Sequence, residues 1–103
     1  MADKRIFEND KIVVWEIVLE PGESTGVHTH SHDFLFYVTE GSTAEVTDKD
    51  GKFLGKFEMK VGDMMSFKLE GQELLAGDLR LPATHNGRNL GNKRYAEILV
   101  EMK

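Results

Sequence analysis

The chain has 103 residues, with 13 basic and 18 acidic side chains and a net charge of −5 at neutral pH. It is 40% hydrophobic and 30% charged, which suits a soluble folded domain and excludes both a disordered tail and a helical membrane protein. It contains no cysteine, so disulfides, thiol catalysis and sulfur-ligated zinc are excluded and any metal would be held by nitrogen and oxygen.

No Lys/Arg run is present to grip a phosphate backbone, so nucleic acid is not an expected partner. The N-terminus, Met1-Ala2-Asp3-Lys4-Arg5, leads into a charged segment rather than an apolar one. No signal peptide, membrane span or membrane partner is therefore expected, and the expected location is cytoplasmic. The length is that of one domain, taken as residues 1–103.

In chain order the pattern is one of short strands. Residues 11–19 are dense in β-branched and aromatic side chains, and Pro21-Gly22 ends them with turn chemistry. Residues 34–39 (Phe34, Leu35, Phe36, Tyr37, Val38) form a continuous apolar run, as in a strand buried on both faces. Residues 43–47 and 52–60 flank Asp48-Lys49-Asp50-Gly51, a hairpin signature. Asp48 to Asp50 belong to that turn and lack the later ligands of a calcium loop. Residues 64–69 follow the Val61-Gly62-Asp63 turn, and residues 95–102 close the series with Ala96, Ile98, Val100 and Met102 alternating with Tyr95, Glu97 and Glu101. Ten glycines interrupt any helical stripe, and the one helical candidate, residues 71–76, is too short to be stable. The expected fold class is all-β, closed as a sandwich, barrel or jelly roll.

Three of the four histidines fall in Gly26-Val27-His28-Thr29-His30-Ser31-His32-Asp33. In extended chain, residues two apart share a face, so His28 and His30 aim two imidazoles at one point, as a divalent metal requires. The fourth, His85, lies far along the chain beside Pro82 and the turn-prone Asn86-Gly87. A solvated or hydrogen-bonded His-x-His is the ordinary alternative, and spacing alone favours it.

The wider pattern is Gly22, five residues, His28-Thr29-His30, three residues, Phe34, six residues, Gly41. This run resembles the first motif of the cupin superfamily, which carries a glutamate where Phe34 stands. Gly62-Asp63 resembles the opening of the second motif, and Pro82-Ala83-Thr84-His85-Asn86-Gly87-Arg88-Asn89 resembles its end, with His85 and Asn89 in matching positions. Residues 70–81 are longer than the family pattern, and Pro82 stands nearer His85.

The resemblance implies a double-stranded β-helix, the cupin jelly-roll barrel, in its small single-domain form. It implies a metal in the barrel mouth held by His28, His30 and His85. The usual fourth ligand is lost to Phe34, leaving a three-histidine site unless a neighbour substitutes. His32, on the face of His28 and His30, ranks above Asp33 for that role; a bulge could reverse the order, and a solvated place at the rim is the competing reading for His32. Such a site suits Fe(II), Zn(II), Mn(II), Ni(II) or Cu(II) with open positions for water or ligand. Without the carboxylate it carries more positive charge, favouring an anionic, oxygen-rich ligand such as a small carboxylic acid.

Phe34 and Phe36 share parity with His28 and His30 and should face the interior. Trp15, Tyr37 and Phe67 are expected chiefly as core, and Met64, Met65 and Met102 as gap fillers. Arg80 and Arg88 flank His85 and could clamp a carboxylate, against the plainer reading of solvated arginines. Glu97 and Tyr37 are acid–base groups with no spacing argument behind them. The expected functions are a metal-dependent enzyme on a small polar or carboxylate-bearing molecule (dioxygenase, isomerase or lyase), or a non-catalytic small-ligand-binding domain. A structural β-sandwich ranks below both. Residues 11–19 and 95–102, as edge strands, would support a homodimer.

Overall fold

A computed structural model describes residues 2–103. Eleven strands and no helix occur among them. In chain order these are β1 (Ala2–Glu8), β2 (Ile12–Leu19), β3 (His28–Thr29), β4 (Asp33–Glu40), β5 (Ser42–Thr47), β6 (Phe53–Met59), β7 (Met64–Glu70), β8 (Glu73–Ala76), β9 (Leu79–Pro82), β10 (Thr84–Asn89) and β11 (Tyr95–Met102). They form two sheets, ordered β1-β2-β11-β4-β7-β8-β9 and β3-β10-β5-β6, with antiparallel pairing throughout. This is the all-β, double-stranded β-helix architecture.

Alternation within each strand divides core from outer face. On β4, Phe34, Phe36 and Val38 are buried while Leu35 and Tyr37 point outward. Phe34 pairs with Phe67 on β7 and with Glu101 on β11, and Phe36 pairs with Met65 and Leu99. Pairs across a ladder share a face, so these side chains meet inside together. Each fully buried aromatic contributes roughly 1.5–3 kcal/mol from area alone, which makes this register costly to shift.

The hairpin at Asp48 forms as the sequence suggests. Asp48 Oδ1 accepts N–H bonds from Asp50 and Lys52, and Gly51 takes the positive φ of 87° that the turn needs. The core expectation fails at two positions: Tyr37 is 42% and Met64 is 60% exposed. They are directly paired across β4 and β7 on the outward parity, so neither reaches the core.

Residues 11–19 and 95–102 are not edges. β1 covers β2, and β11 lies between β2 and β4. Residues 73–76, inside the helical candidate, form β8, which hairpins onto β9 around Gly77 at φ 61°.

Candidate metal centre and barrel cavity

β3 is only two residues long. Two ladder pairs with β10 hold it, Thr84 with Thr29 and His85 with His28. The His30 N–H continues the contact by donating to the Ala83 carbonyl at 2.9 Å. This short ladder brings both ends of the sequence pattern together. His28, His30 and His85 place ligand nitrogens within 4.8 Å of one another.

Their hydrogen bonds fix which nitrogens are free. His28 Nδ1 lies 2.9 Å from the Gly26 carbonyl, and His85 Nδ1 lies 2.7 Å from the Pro82 carbonyl. A carbonyl only accepts, so both Nδ1 atoms carry the proton and both Nε2 atoms present a lone pair. His30 Nε2 is 3.1 Å from His28 Nε2, so the two nitrogens point at one place, where a metal would take the position of a shared proton. Imidazoles anchored to carbonyls through one nitrogen, with the other nitrogens converging, are arranged as metal ligands are.

Electrostatics agree with that donor set. Burial, followed by the proximity of His28 and His85, holds His30 down to about 3. Burial also lowers His85, partly opposed by its bond to Pro82. Both rings are thus neutral at physiological pH, the state a metal requires.

His32 and Asp33 are not brought into this group. His32 Nδ1 faces Glu101 Oε2 at 3.4 Å, and Asp33 Oδ1 accepts the Leu69 N–H at 2.8 Å. Glu101 also accepts a bond from the Trp15 indole. Phe34 occupies the flank of His30 where a carboxylate would come. Arg80 pairs with Glu73 at the surface, while Arg88 borders the cavity behind the histidines.

That cavity has a volume of about 140 Å³ and runs between the two sheets. Its wall is mostly apolar, built from Leu, Phe, Met and Ile side chains, with Thr25, Glu45, Arg88 and Asn89 also on the lining. The three histidines lie at one end.

The pattern of elements, the paired sheets and the converging histidines match one further observation: a family model for the cupin domain fits residues 15–70, more than half of the chain. The chain is a cupin. His85 lies beyond the matched segment, so its place in this cupin's site rests on geometry. Among solved structures, a cupin domain from Bordetella pertussis Tohama I superposes with a TM-score of 0.73 at 18% identity, covering 98% of this chain and 91% of that one. A Klebsiella pneumoniae protein with a double-stranded β-helix domain gives 0.64 at 20% identity, covering 97% and 76%. A sugar phosphate isomerase of the cupin superfamily from Silicibacter pomeroyi gives 0.56 at 20% identity; the match covers 91% of this chain and only 52% of that protein. At these identities the likeness is one of fold. No curated protein matches the chain.

Two polar residues of this cupin had no motif to mark them. Tyr95 O–H donates to Glu97 Oε1 at 2.6 Å, and both residues line the cavity. Alternation along β11 puts Tyr95, Glu97 and Leu99 on one face; sequence parity could have shown this once Tyr95 and Leu99 were assigned inward. Burial pushes Glu97 up to about 7, opposed by the bond from Tyr95, and burial with the nearby Glu97 raises Tyr95. Asn89, the motif match near His85, is buried and structural. It donates to Leu19 and Lys93 carbonyls and accepts from Ser42 Oγ and Gly91 N–H, which ties β10 to its neighbours.

Proposed function

We propose that the protein is a metal-dependent enzyme acting on a small organic molecule that presents a carboxylate or another polar oxygen to His28, His30 and His85. The observation that carries this is the convergence of three imidazoles at the end of a cavity, two of them with their outer nitrogens committed to backbone carbonyls. Fe, Zn, Mn, Ni and Cu all fit such a nitrogen set; bound there, the ion would polarise an oxygen of the ligand or activate water. The chain's part is to hold three neutral rings in place, exclude water with a mostly apolar wall and fix the ligand's direction.

One neighbour is a sugar phosphate isomerase, but at 20% identity over 52% of that protein the likeness is one of fold. That substrate is not carried over.

The alternative is a non-catalytic small-ligand-binding domain. Phe34 favours it, because its ring stands where the family motif places a carboxylate and no carboxylate joins the three histidines among the described residues. Elemental analysis of protein purified from metal-replete cells tests both. Bound metal that disappears in His28→Ala and His85→Ala supports the metal site, and turnover of oxygen-bearing substrates then selects the enzyme. A metal-free protein that gains no stability on metal addition overturns the metal-dependent enzyme and leaves the small-ligand-binding domain.

We also propose a cytoplasmic homodimer. No helix among the described residues is long and apolar enough to cross a membrane. The outer face of the larger sheet carries Val14, Val18, Leu35, Ile98 and Val100, all only half-buried, as a partner surface would be. A monomeric mass by light scattering at high concentration would contradict this.

A further inference from the structure

The barrel cavity has a second polar end. Glu101 stands at the level of the histidines: it pairs with Phe34, whose ring stacks on His30, and it faces His32. Glu97 is four residues along the same strand, about 13 Å away at strand rise. β10 runs the same course in the opposite sheet, from His85 at the metal end to Asn89, whose amide is bonded to Leu19 beside Tyr95. Tyr95 and Glu97 therefore sit at the far end of the cavity.

The Glu97 carboxyl is only half used. Its one hydrogen bond among the described residues is the Tyr95 O–H on Oε1. No buried side-chain oxygen or nitrogen lacks a partner among those residues, so the second oxygen keeps accessible surface, and Glu97 is a lining residue of the cavity. Between the two ends the wall is mostly apolar, with Phe36, Phe67 and Leu99 among its side chains and Glu45 and Arg88 as polar lining on the smaller sheet.

We propose that Glu97, braced by Tyr95, is a specificity-determining residue that hydrogen-bonds the distal oxygen of a small, ring-sized ligand with an apolar body, whose other end lies at the histidines. This rests on the cavity being the seat of the organic ligand, as proposed above. Size supports it: a dry cavity of about 150 Å³ takes one benzene ring, and this one is about 140 Å³. Chemistry supports it as well. Burial holds the Glu97 proton up to about 7, so near neutral pH the carboxyl is part protonated and in that form both donates and accepts, while its ionised fraction repels an anion. Charge on the ligand therefore belongs at the histidine end, and the distal group is a neutral hydroxyl or carbonyl.

The probes are phenol and toluene, a near-isosteric pair differing in one hydroxyl. Both are titrated by NMR into the full-length protein with EDTA present, so the result does not depend on metal; a separate nickel titration reports on the histidine site. The phenol-to-toluene affinity ratio should fall about tenfold in Glu97→Leu, as expected for one lost hydrogen bond, and stay near wild type in Glu97→Gln, which retains a donor and an acceptor. Bound phenol should also show nuclear Overhauser contacts to the Leu99 methyls in the wild-type protein. An unchanged ratio in Glu97→Leu, or wild-type protein that binds neither probe, overturns the proposal. If Glu97→Leu does not fold, absence of the Leu99 contacts does so instead.

Discussion

The imidazole of His30 lies flat against the ring of Phe34, with centroids 4.3 Å apart and planes inclined by 18°. Phe34 continues the stack onto Phe67, at 5.1 Å. A side chain in the family's ligand position has thus become the wall that orients a ligand candidate. Phe34→Glu should destabilise the metal-free protein by about 3 kcal/mol or more, through loss of a buried ring and burial of a carboxylate. Added zinc or nickel should restore part of that loss, because the new carboxylate then faces a cation. Denaturant unfolding with and without metal measures both effects. Equal stability of variant and wild type without metal would show that the stack has no structural weight.

Truncating any one of His28, His30 and His85 to alanine should abolish tight metal binding. His32→Ala should change it by no more than a few-fold, since His32 is directed at Glu101. Saturating metal at a hundred times its Kd should stabilise the wild-type protein by about 2.7 kcal/mol and leave the three alanine variants unmoved. Calorimetric titration and thermal unfolding check this; loss of binding in His32→Ala comparable to that in His85→Ala would move His32 into the site.

Glu97 gives a pH dependence of definite sign. Its folded pKa, about 7, stands above the ordinary 4.5, so the folded protein holds that proton more tightly than the unfolded chain. The contribution is complete below pH 4.5 and is lost as pH rises through 7, by roughly 3 kcal/mol in all. His30 and His85 have lowered values and work in the opposite direction, adding stability as pH rises to the usual histidine range. The measurable quantity is therefore the difference between wild type and Glu97→Gln. Wild type should lose stability relative to the variant between pH 5 and 8. A constant difference across that range would count against a buried, proton-holding Glu97.

Gly91 should not tolerate a side chain. A Cβ there would stand 2.0 Å from Ser42 Oγ, which is itself bonded to Asn89. Gly91→Ala should cost about 1–3 kcal/mol by breaking that bond to a buried amide. Chemical denaturation checks it, and a neutral result would mean that the 90–94 turn relaxes without disturbing Asn89.

Much of the barrel was legible because its strands obey period two. The runs in β2, β4, β7 and β11 and the Asp48–Gly51 turn are strong local signals, and the His-x-His spacing with the Gly22 and Gly41 frame pointed to the site. What escaped lacks such signals. β10 reads Thr-His-Asn-Gly-Arg-Asn, with no apolar residue and an Asn-Gly pair that locally favours a turn, yet it is held between β3 and β5. Its strand conformation comes from neighbours rather than from propensity. β1 is charged and pairs along one edge only, so nothing in its sequence alternates. Leu74 and Leu81 are buried on four-residue strands too short for a period to show. Glu97 escaped because a glutamate among apolar residues looks solvent-facing until the register of β11 is known.

The two-residue strand β3 has a last implication, for inheritance of chemistry. Two imidazoles come from residues 28–30 and the third from the strand that β3 joins, so all three lie within one patch at the margin of the smaller sheet. The larger sheet supplies shape and none of these nitrogens. Donors confined to so small a patch can be exchanged, added or lost without refolding the barrel, while Phe34, on β4 of the larger sheet, adds a stacked ring and no donor. Reactivity and scaffold are in this sense separately heritable, and new chemistry in such a barrel needs only a few substitutions beside β3.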